Sequence, residues 1–190
     1  MGRNRNVYLL SFLVICLSAC NDDDIDIPYF DFVLYSPGSQ DSGFGKAKVF
    51  DKEWQATASV FPFEFEPQYV SIRFETYSPE GFNRDELVFG NFTLKVGLYT
   101  VIDDPSADTS QDDNLIYGIY GQYQDDGDVI HGGYELDNDF PNTFYIERID
   151  TIAHTVEGGF NALFKLRESY LHANLARQVL FEDGEFMVKY

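Results

Sequence analysis

The feature that most constrains the fold is an alternation of apolar and polar residues that recurs along the chain after residue 46. In the segment YVSIRFETY, residues 69–77, the apolar residues Val70, Ile72 and Phe74 alternate with polar neighbours. The segment HTVEGGFNALFKL, residues 154–166, shows the same period. Because successive side chains of a strand point to opposite faces, this period predicts strands with one buried face.

Turn residues divide the alternating segments. The segment DDGD at 125–128 contains Asp-Gly, a strong hairpin signal, and we also expect a turn at Asp183 and Gly184 and a break near Gly90. Only residues 168–179 have a helix-forming composition. The sequence therefore predicts an all-β fold, an antiparallel β-sandwich or barrel of about 8 to 11 strands with at most one short helix.

The first residues have the three-part pattern of a secretory signal. Two arginines precede an apolar run at 7–17, and the small residues Ser18 and Ala19 follow it. A membrane-spanning helix needs about 20 apolar residues, and this run is much shorter. Residues 1–19 are therefore predicted to be a removed signal peptide.

The segment LSAC, which ends at Cys20, resembles the bacterial lipobox, whose cysteine is acylated and becomes the first residue of the mature protein. The resemblance implies that Cys20 is a lipid attachment site, carrying acyl chains such as palmitate that hold the protein on a membrane. The alternative is an ordinary secreted protein in which Cys20 occurs by chance. Cys16 lies in the predicted signal, so the mature chain would have no disulfide.

An acidic run follows the cysteine: Asn21, Asp22, Asp23 and Asp24. Such a run stays solvated and serves as a tether. It also resembles the acidic export signals of some Gram-negative surface lipoproteins. We therefore expect an outer-membrane protein at the cell surface, with a periplasm-facing protein as the alternative. Residues 20–45 are predicted to be the lipidated cysteine, tether and linker, and residues 46–190 a single β domain.

The net charge of -19 excludes nucleic acid as a partner, because its phosphates are bound by Lys and Arg. The chain is nevertheless 44% hydrophobic and 17% aromatic, which indicates a folded domain and not a disordered one.

Three segments carry a family resemblance: KAKVFDKEWQATAS, FYIERIDTIAHTVEGGFNALFKL and FEDGEFMVKY. They resemble a group of uncharacterised bacterial outer-membrane lipoproteins whose domain opens with a strand, a turn and Trp-x-Ala. The resemblance covers about residues 44–190 and implies an all-β lipoprotein domain. It brings no catalytic residues with it. The FPFEFEPQ segment and the acidic loop at 103–114 depart from the family pattern.

No nucleophile, zinc or phosphate-loop motif occurs in the sequence, and the three histidines, His131, His154 and His172, are far apart. The protein is therefore predicted not to be an enzyme and to need no cofactor. A hydrolase with an unrecognised site stays open, because catalytic residues need only be close in space.

Two clusters are candidate binding sites. Calcium is bound by six to eight oxygens, which acidic loops can supply, although the spacing here is not that of an EF-hand. The candidate calcium ligands are Asp103, Asp104, Asp108, Asp112 and Asp113. Solvated acidic loops without a metal are the favoured interpretation, and the calcium site is the alternative. The candidate ligand-stacking residues are Tyr117, Tyr120, Tyr123 and Tyr134; alternatively, these tyrosines build the inward face of a sheet.

The phenylalanines Phe61, Phe63 and Phe65 are expected to build the inward face of an edge strand or, alternatively, to line a cavity. The lipobox-like segment, the acidic run and the lack of a catalytic motif together predict a lipid-anchored, non-enzymatic surface module that binds an extracellular glycan or protein. The alternative is a lipocalin-like barrel that carries a small apolar ligand. Neither the partner nor the oligomeric state follows from the sequence.

Overall fold

The computed structural model describes residues 43–63, 66–103, 114–124, 126–170 and 174–190. All of them belong to one compact unit, Phe32–Tyr190; the other unit, Met1–Asp31, lies outside the described residues. The strands are β1 (Gly43–Val49), β2 (Lys52–Pro62), β3 (Val70–Tyr77), β4 (Asn83–Phe92), β5 (Gly97–Ile102), β6 (Leu115–Tyr123), β7 (Ile130–Leu136), β8 (Thr143–Asp150), β9 (Thr155–Leu166) and β10 (Gln178–Lys189). The helical part of the described chain is one 3-10 turn, Glu168–Tyr170, so the all-β prediction is confirmed.

The strands close into a barrel. Nine of them form a ring in the order β10, β1, β2, β3, β4, β6, β5, β8, β9, and β9 pairs with β10 to complete it. A ring with an odd number of strands cannot alternate direction throughout, and the parallel pair β5–β6 accommodates the odd number. Every other pair in the ring is antiparallel. Of the two architectures that the sequence predicted, the barrel is therefore the one formed.

The extra strand, β7, makes the barrel wall fork. One half of β6 pairs with β5 and the other half with β7. Likewise, β9 pairs first with β8 and then, over its last residues, with β7. At one end β7 alone bridges β6 and β9, whereas at the other end β5 and β8 together bridge them. We call these the narrow end, with eight strands around it, and the wide end, with nine.

Polar side chains complete the hydrogen bonding at this fork, which we call the seam. Asn142 is buried, and its Oδ1 accepts a hydrogen bond of 2.9 Å from the Leu163 amide of β9. The Nδ2 of Asn142 donates to the carbonyl oxygens of Asp137 and Phe140, at 2.7 and 3.1 Å. On the other side, Asp103 Oδ1 accepts a bond from the Leu136 amide at 3.1 Å. Side chains thus take the place of backbone partners where β9 and β7 change neighbours.

Aromatic rings fill the interior. Phe160 is fully buried, and its ring centroid lies 5.3 Å from those of Phe74 and Phe89 and 6.5 Å from that of Trp54. These distances are those of packed aromatic pairs. The other rings of this core are Phe92, Tyr99, Tyr120, Tyr134, Phe144, Phe164, Phe181 and Phe186.

Glycines on the strands make room for these rings. A Cβ on Gly184 would lie 2.6 Å from the Phe160 ring, and one on Gly45 would lie 2.4 Å from the Phe74 ring. The missing side chains therefore let the barrel hold more aromatic volume than its strand number alone would allow.

Two predicted strand breaks are wrong. The chain does not turn at Asp183 and Gly184, because β10 continues through a bulge there, with Asp183 at φ 51. Likewise β4 continues through Gly90, and its register shift coincides with Asn91 at φ 67. The predicted hairpin at Asp126 and Gly127 is confirmed: it joins β6 to β7, with Gly127 at φ 74.

The inward placement predicted for the phenylalanines of the FPFEFEPQ segment fails at Phe61. Phe61 lies on the outside of β2 and is 39% exposed, and the Arg73 guanidinium stacks 4.5 Å from its ring centroid. The inward residues of β2 are Trp54, Ala56 and Ala58, so an odd-numbered residue of this strand must face outward. Phe63 is half-buried beyond the end of β2, and Phe65 lies outside the described residues.

A polar cluster occupies the interior of the narrow end. The Asp85 carboxylate accepts hydrogen bonds from Tyr120 Oη and Thr76 Oγ1, both at 3.0 Å. Gln122 Nε2 donates to the Tyr120 hydroxyl at 2.7 Å, and the Tyr134 hydroxyl donates to Gln122 Oε1 at 3.1 Å. Burial raises the pKa of Asp85 to about 6, against the opposing effect of its two hydroxyl donors.

This pKa predicts an unusual pH dependence of stability. A carboxyl whose pKa is higher in the folded than in the unfolded state stabilises the fold at low pH, and the contribution is lost as the pH rises through about 6. We therefore expect Asp85→Asn, which resembles the neutral acid, to be more stable than the unmodified protein by about 1–3 kcal/mol above pH 7. Denaturant unfolding between pH 4 and pH 8 measures this difference.

The advantage of Asp85→Asn should shrink as the pH falls from 8 to 4. Asp128→Asn, at an exposed position of the β6–β7 loop, controls for the loss of one negative charge. If both variants change the free energy of unfolding equally at every pH, the extra stability of Asp85→Asn does not come from the burial of Asp85.

Candidate functional site: a groove on the outer wall

A row of outward-facing residues crosses five strands on one side of the barrel. Leu98 of β5 is opposite Tyr145 of β8, and Tyr145 is opposite Gly159 of β9. Gly159 is in turn opposite Glu185 of β10, and Glu185 is opposite Lys46 of β1. The row thus changes from apolar to charged along the barrel wall.

Tyr145 lies over Gly159 in this row. A Cβ on Gly159 would be 2.5 Å from the Tyr145 hydroxyl oxygen and 2.7 Å from its Cζ, so the ring needs a glycine beneath it. Tyr145 is still 37% exposed, and its neighbour Leu98 is 65% exposed. One side of the ring is therefore supported by the barrel wall while the rest is accessible.

A groove of about 730 Å³ lies beside this ring. It is lined by Lys46, Ala47, Lys48, Asp51, Glu53, Tyr145, Asn161, Asp183, Gly184 and Glu185. Gly159 has no side chain on the outer face where β9 and β10 pair, so the barrel surface is recessed there between the longer side chains of Tyr145 and Glu185.

The bulge in β10 shapes the floor of the groove. The backbone of Asp183 has φ 51, and its amide donates to Asn161 Oδ1 at 3.0 Å. Bulges re-aim side chains next to functional sites in many sheets. Here the bulge brings the Asp183 carboxylate to 2.8 Å from Lys48 Nζ on the neighbouring strand β1.

The groove is rich in charge and acidic overall. Lys46 Nζ lies 2.9 Å from Glu185 Oε2, and Asp183 raises the pKa of Lys48 through its hydrogen bond and charge. These are exposed pairs, which contribute little to stability. Asp51 and Glu53 add two further carboxylates, so four acids face two lysines.

The structure separates the four tyrosines that the sequence suggested as a stacking surface. Tyr120 and Tyr134 are buried in the barrel interior, with ring centroids 5.0 Å apart. Tyr117 and Tyr123 belong to the opposite face of β6 and lie on the outer wall. The four do not form one surface. Successive side chains of a strand point to opposite faces, so Tyr120, an odd number of residues from Tyr117 and Tyr123, faces inward while those two face outward.

Both outward tyrosines are held by the wall. The Tyr117 ring covers Gly90, where a Cβ would be 2.3 Å from its Cζ. Tyr123 donates a hydrogen bond of 2.6 Å to Glu86 Oε2, and burial together with this carboxylate raises the pKa of Tyr123 to about 12.

Of the predicted calcium ligands, the structure describes one. Asp103 is half-buried at the seam, where its carboxylate accepts the Leu136 amide. Asp104, Asp108, Asp112 and Asp113 lie outside the described residues. Over the described ranges, no group of three or more His, Cys, Asp or Glu residues is arranged to hold a metal ion.

The predicted anchor residues also lie outside the described part of the chain: Cys20, Asn21, Asp22, Asp23 and Asp24. In the part that is described, no helix is long and apolar enough to cross a bilayer. The histidines His131 and His154 are both exposed, and His172 is not described.

The sequence alone did not point to the residues of the groove. Tyr145 lies in one of the segments that carry the family resemblance, and Asp183 was placed in a predicted turn. A usable signal was present: FYIERI alternates, so Tyr145 and Glu147 face outward if Phe144 and Ile146 face inward. An outward tyrosine opposite a glycine was predictable only with the strand register, which the sequence does not supply.

Comparison with known proteins gives no assignment. No protein-family model matches the chain, and neither the curated proteins nor the solved structures include a significant match. The family resemblance inferred from the sequence therefore stays a prediction.

Proposed function

We propose that this protein is a lipid-anchored outer-membrane module, exposed at the cell surface, that binds its ligand without catalysis in the groove beside Tyr145. The observation that carries the proposal is an exposed tyrosine ring supported by Gly159 at the edge of a polar groove. Small-ligand sites combine such an apolar contact surface with a few polar groups that fix orientation.

The interior of the barrel supports an external site. The rings around Phe160 lie about as close as packed aromatic rings do, so side chains occupy the place where a barrel would hold a ligand. Binding on the outer wall leaves this core intact.

A carrier of a small apolar ligand is the second candidate, and the closed ring of strands favours it. Mass spectrometry of an organic extract of the purified protein distinguishes the two. A stoichiometric apolar molecule would favour the carrier, and its absence the external site.

The anchor and export proposal rests on the sequence features around Cys20. We expect protease added to intact cells to remove the barrel domain, and we expect a variant with Asp22, Asp23 and Asp24 all changed to Ala to be protected. The acidic run would then act as the export signal. Immunoblotting of the cell-bound fragment measures the outcome.

Two controls make this experiment specific. Cys20→Ala should lose incorporation of labelled palmitate and leave the membrane fraction. A triple change to Asn at the same three positions tests whether charge is the signal. If the unmodified domain is protected in intact cells and digested only after the outer membrane is ruptured, the protein faces the periplasm and the surface proposal fails.

A further inference from the structure

We infer that the groove beside Tyr145 binds a neutral carbohydrate, with one sugar ring stacked on the Tyr145 side chain. The inference rests on the proposed function, since it names the ligand class of the same site. Three properties of the groove lead to it: the support of the ring, the polar groups around it and the sign of the charge.

The support of the ring suits a flat ligand. Gly159 lies beneath the hydroxyl end of the ring, so the phenol is held against the wall while the residue is still 37% exposed to solvent. An aromatic face offers a large contact area at a low entropic cost, because the side chain has only two torsions to fix. Leu98, exposed beside it on β5, extends the apolar contact area. The apolar C–H face of a sugar ring fits such a surface.

The polar groups match sugar hydroxyls, which both donate and accept hydrogen bonds. Lys46, Lys48 and the Asn161 amide supply donors, and Asp183 and Glu185 supply acceptors. The ion pairs of Lys46 and Lys48 hold these groups in place before a ligand arrives. The volume of about 730 Å³ falls within the range of small-molecule sites.

The charge selects among carbohydrates. Four carboxylates face two lysines in the groove, and the whole chain has a net charge of -19. Uronic acids and sulfated sugars would be repelled by this field, whereas a neutral glycan would not. The expected ligand is therefore a neutral hexose-containing glycan.

The experiment uses the full mature chain, solubilised in detergent and fluorescently labelled, on a printed array of neutral hexose oligosaccharides and of uronic-acid and sulfated oligosaccharides. We expect binding to neutral probes only. Tyr145→Ala should weaken binding to the best neutral probe about tenfold or more. Tyr145→Phe keeps the ring and should retain binding.

The matched control is Tyr117→Ala. Tyr117 also lies over a glycine, Gly90, on the outer wall, but it does not line the groove. Its removal should leave binding unchanged, which separates a local effect at Tyr145 from a general effect of removing a tyrosine from the wall. Equal unfolding midpoints of the two alanine variants would show that neither result comes from unfolding.

Three outcomes would overturn the inference: no neutral probe is bound, anionic probes are bound better, or Tyr145→Ala binds as well as the unmodified protein. The protease experiment on intact cells does not depend on any glycan. A silent array together with a protease-accessible domain would therefore reject the carbohydrate and leave the surface module standing.

Discussion

Replacing Phe160 by alanine is expected to destabilise the barrel by about 3–5 kcal/mol. The ring is fully buried between Trp54, Phe74 and Phe89, and it also lies over Gly184, which has no side chain to fill the space. Its loss would leave a cavity lined by stiff rings that cannot close around it. Denaturant unfolding measured through the near-ultraviolet signal of the aromatic core checks the value.

Phe61→Ala is the matched control. Phe61 is the same residue type on the outer wall, where it is 39% exposed and contacts the Arg73 guanidinium. We expect Phe61→Ala to lower the free energy of unfolding by no more than about 1 kcal/mol, the usual size of an exposed cation–π contact. Comparable losses for the two variants would contradict a core centred on Phe160. Since domains of this size are stable by about 5–15 kcal/mol, the expected difference is easily measured.

The alternation of residues predicted the fold class because the barrel has one inside and one outside. Val70, Ile72 and Phe74 point inward as expected, as do Phe160 and Phe164 on β9. The same rule explains why Phe61 faces outward. Trp54 points inward, and Phe61 is an odd number of residues further along β2, so it lies on the opposite face. In strands without a bulge, the sequence was therefore sufficient for the face of each residue once the strand bounds were known, whereas the bulges in β4 and β10 reverse the alternation within the strand.

The bulges could not be predicted from local sequence, and the reason is physical. Asp183-Gly184 in β10 has the composition of a hairpin turn, and a positive φ, such as that of Asp183, occurs both in type I′ hairpin turns and in some bulges. What decides between them is whether neighbouring strands continue on both sides. Here β9 and β1 pair with β10 beyond Asp183, which is a long-range property of the fold.

The candidate site was hidden for a related reason. Tyr145, Gly159 and Glu185 are far apart in sequence and meet only because three strands place them at one level. Composition did indicate that tyrosines were available for ligand contact, but it favoured the tyrosine-rich β6, where alternate positions face opposite sides of the wall. Register thus determines which tyrosine lies at the candidate site.

The fork of the barrel wall leads to the last prediction: Asn142→Ala should lower the free energy of unfolding by about 1–3 kcal/mol, although it removes little apolar area. The Leu163 amide would lose the Oδ1 acceptor that pairs it at the buried seam, whereas the carbonyls of Asp137 and Phe140 would keep the backbone amides of Phe140 and Asn142 as donors. Unpaired buried polar groups are costly, and water would enter the wall to satisfy them. Amide hydrogen exchange at Leu163, within β9, should accelerate more than exchange elsewhere in that strand.

Asn138→Ala serves as the control, because Asn138 is exposed in the same β7–β8 connection and should change stability by less than about 0.5 kcal/mol. If Asn142→Ala unfolds at the same denaturant concentration as Asn138→Ala, and the Leu163 amide stays protected, the prediction is contradicted. The pairing of β9 with β7 and β8 would then be stable without the Asn142 side chain. If the loss is as large as expected, the Asn142 side chain stabilises the change from eight to nine strands, because its Oδ1 pairs the Leu163 amide where β9 changes its partner from β8 to β7.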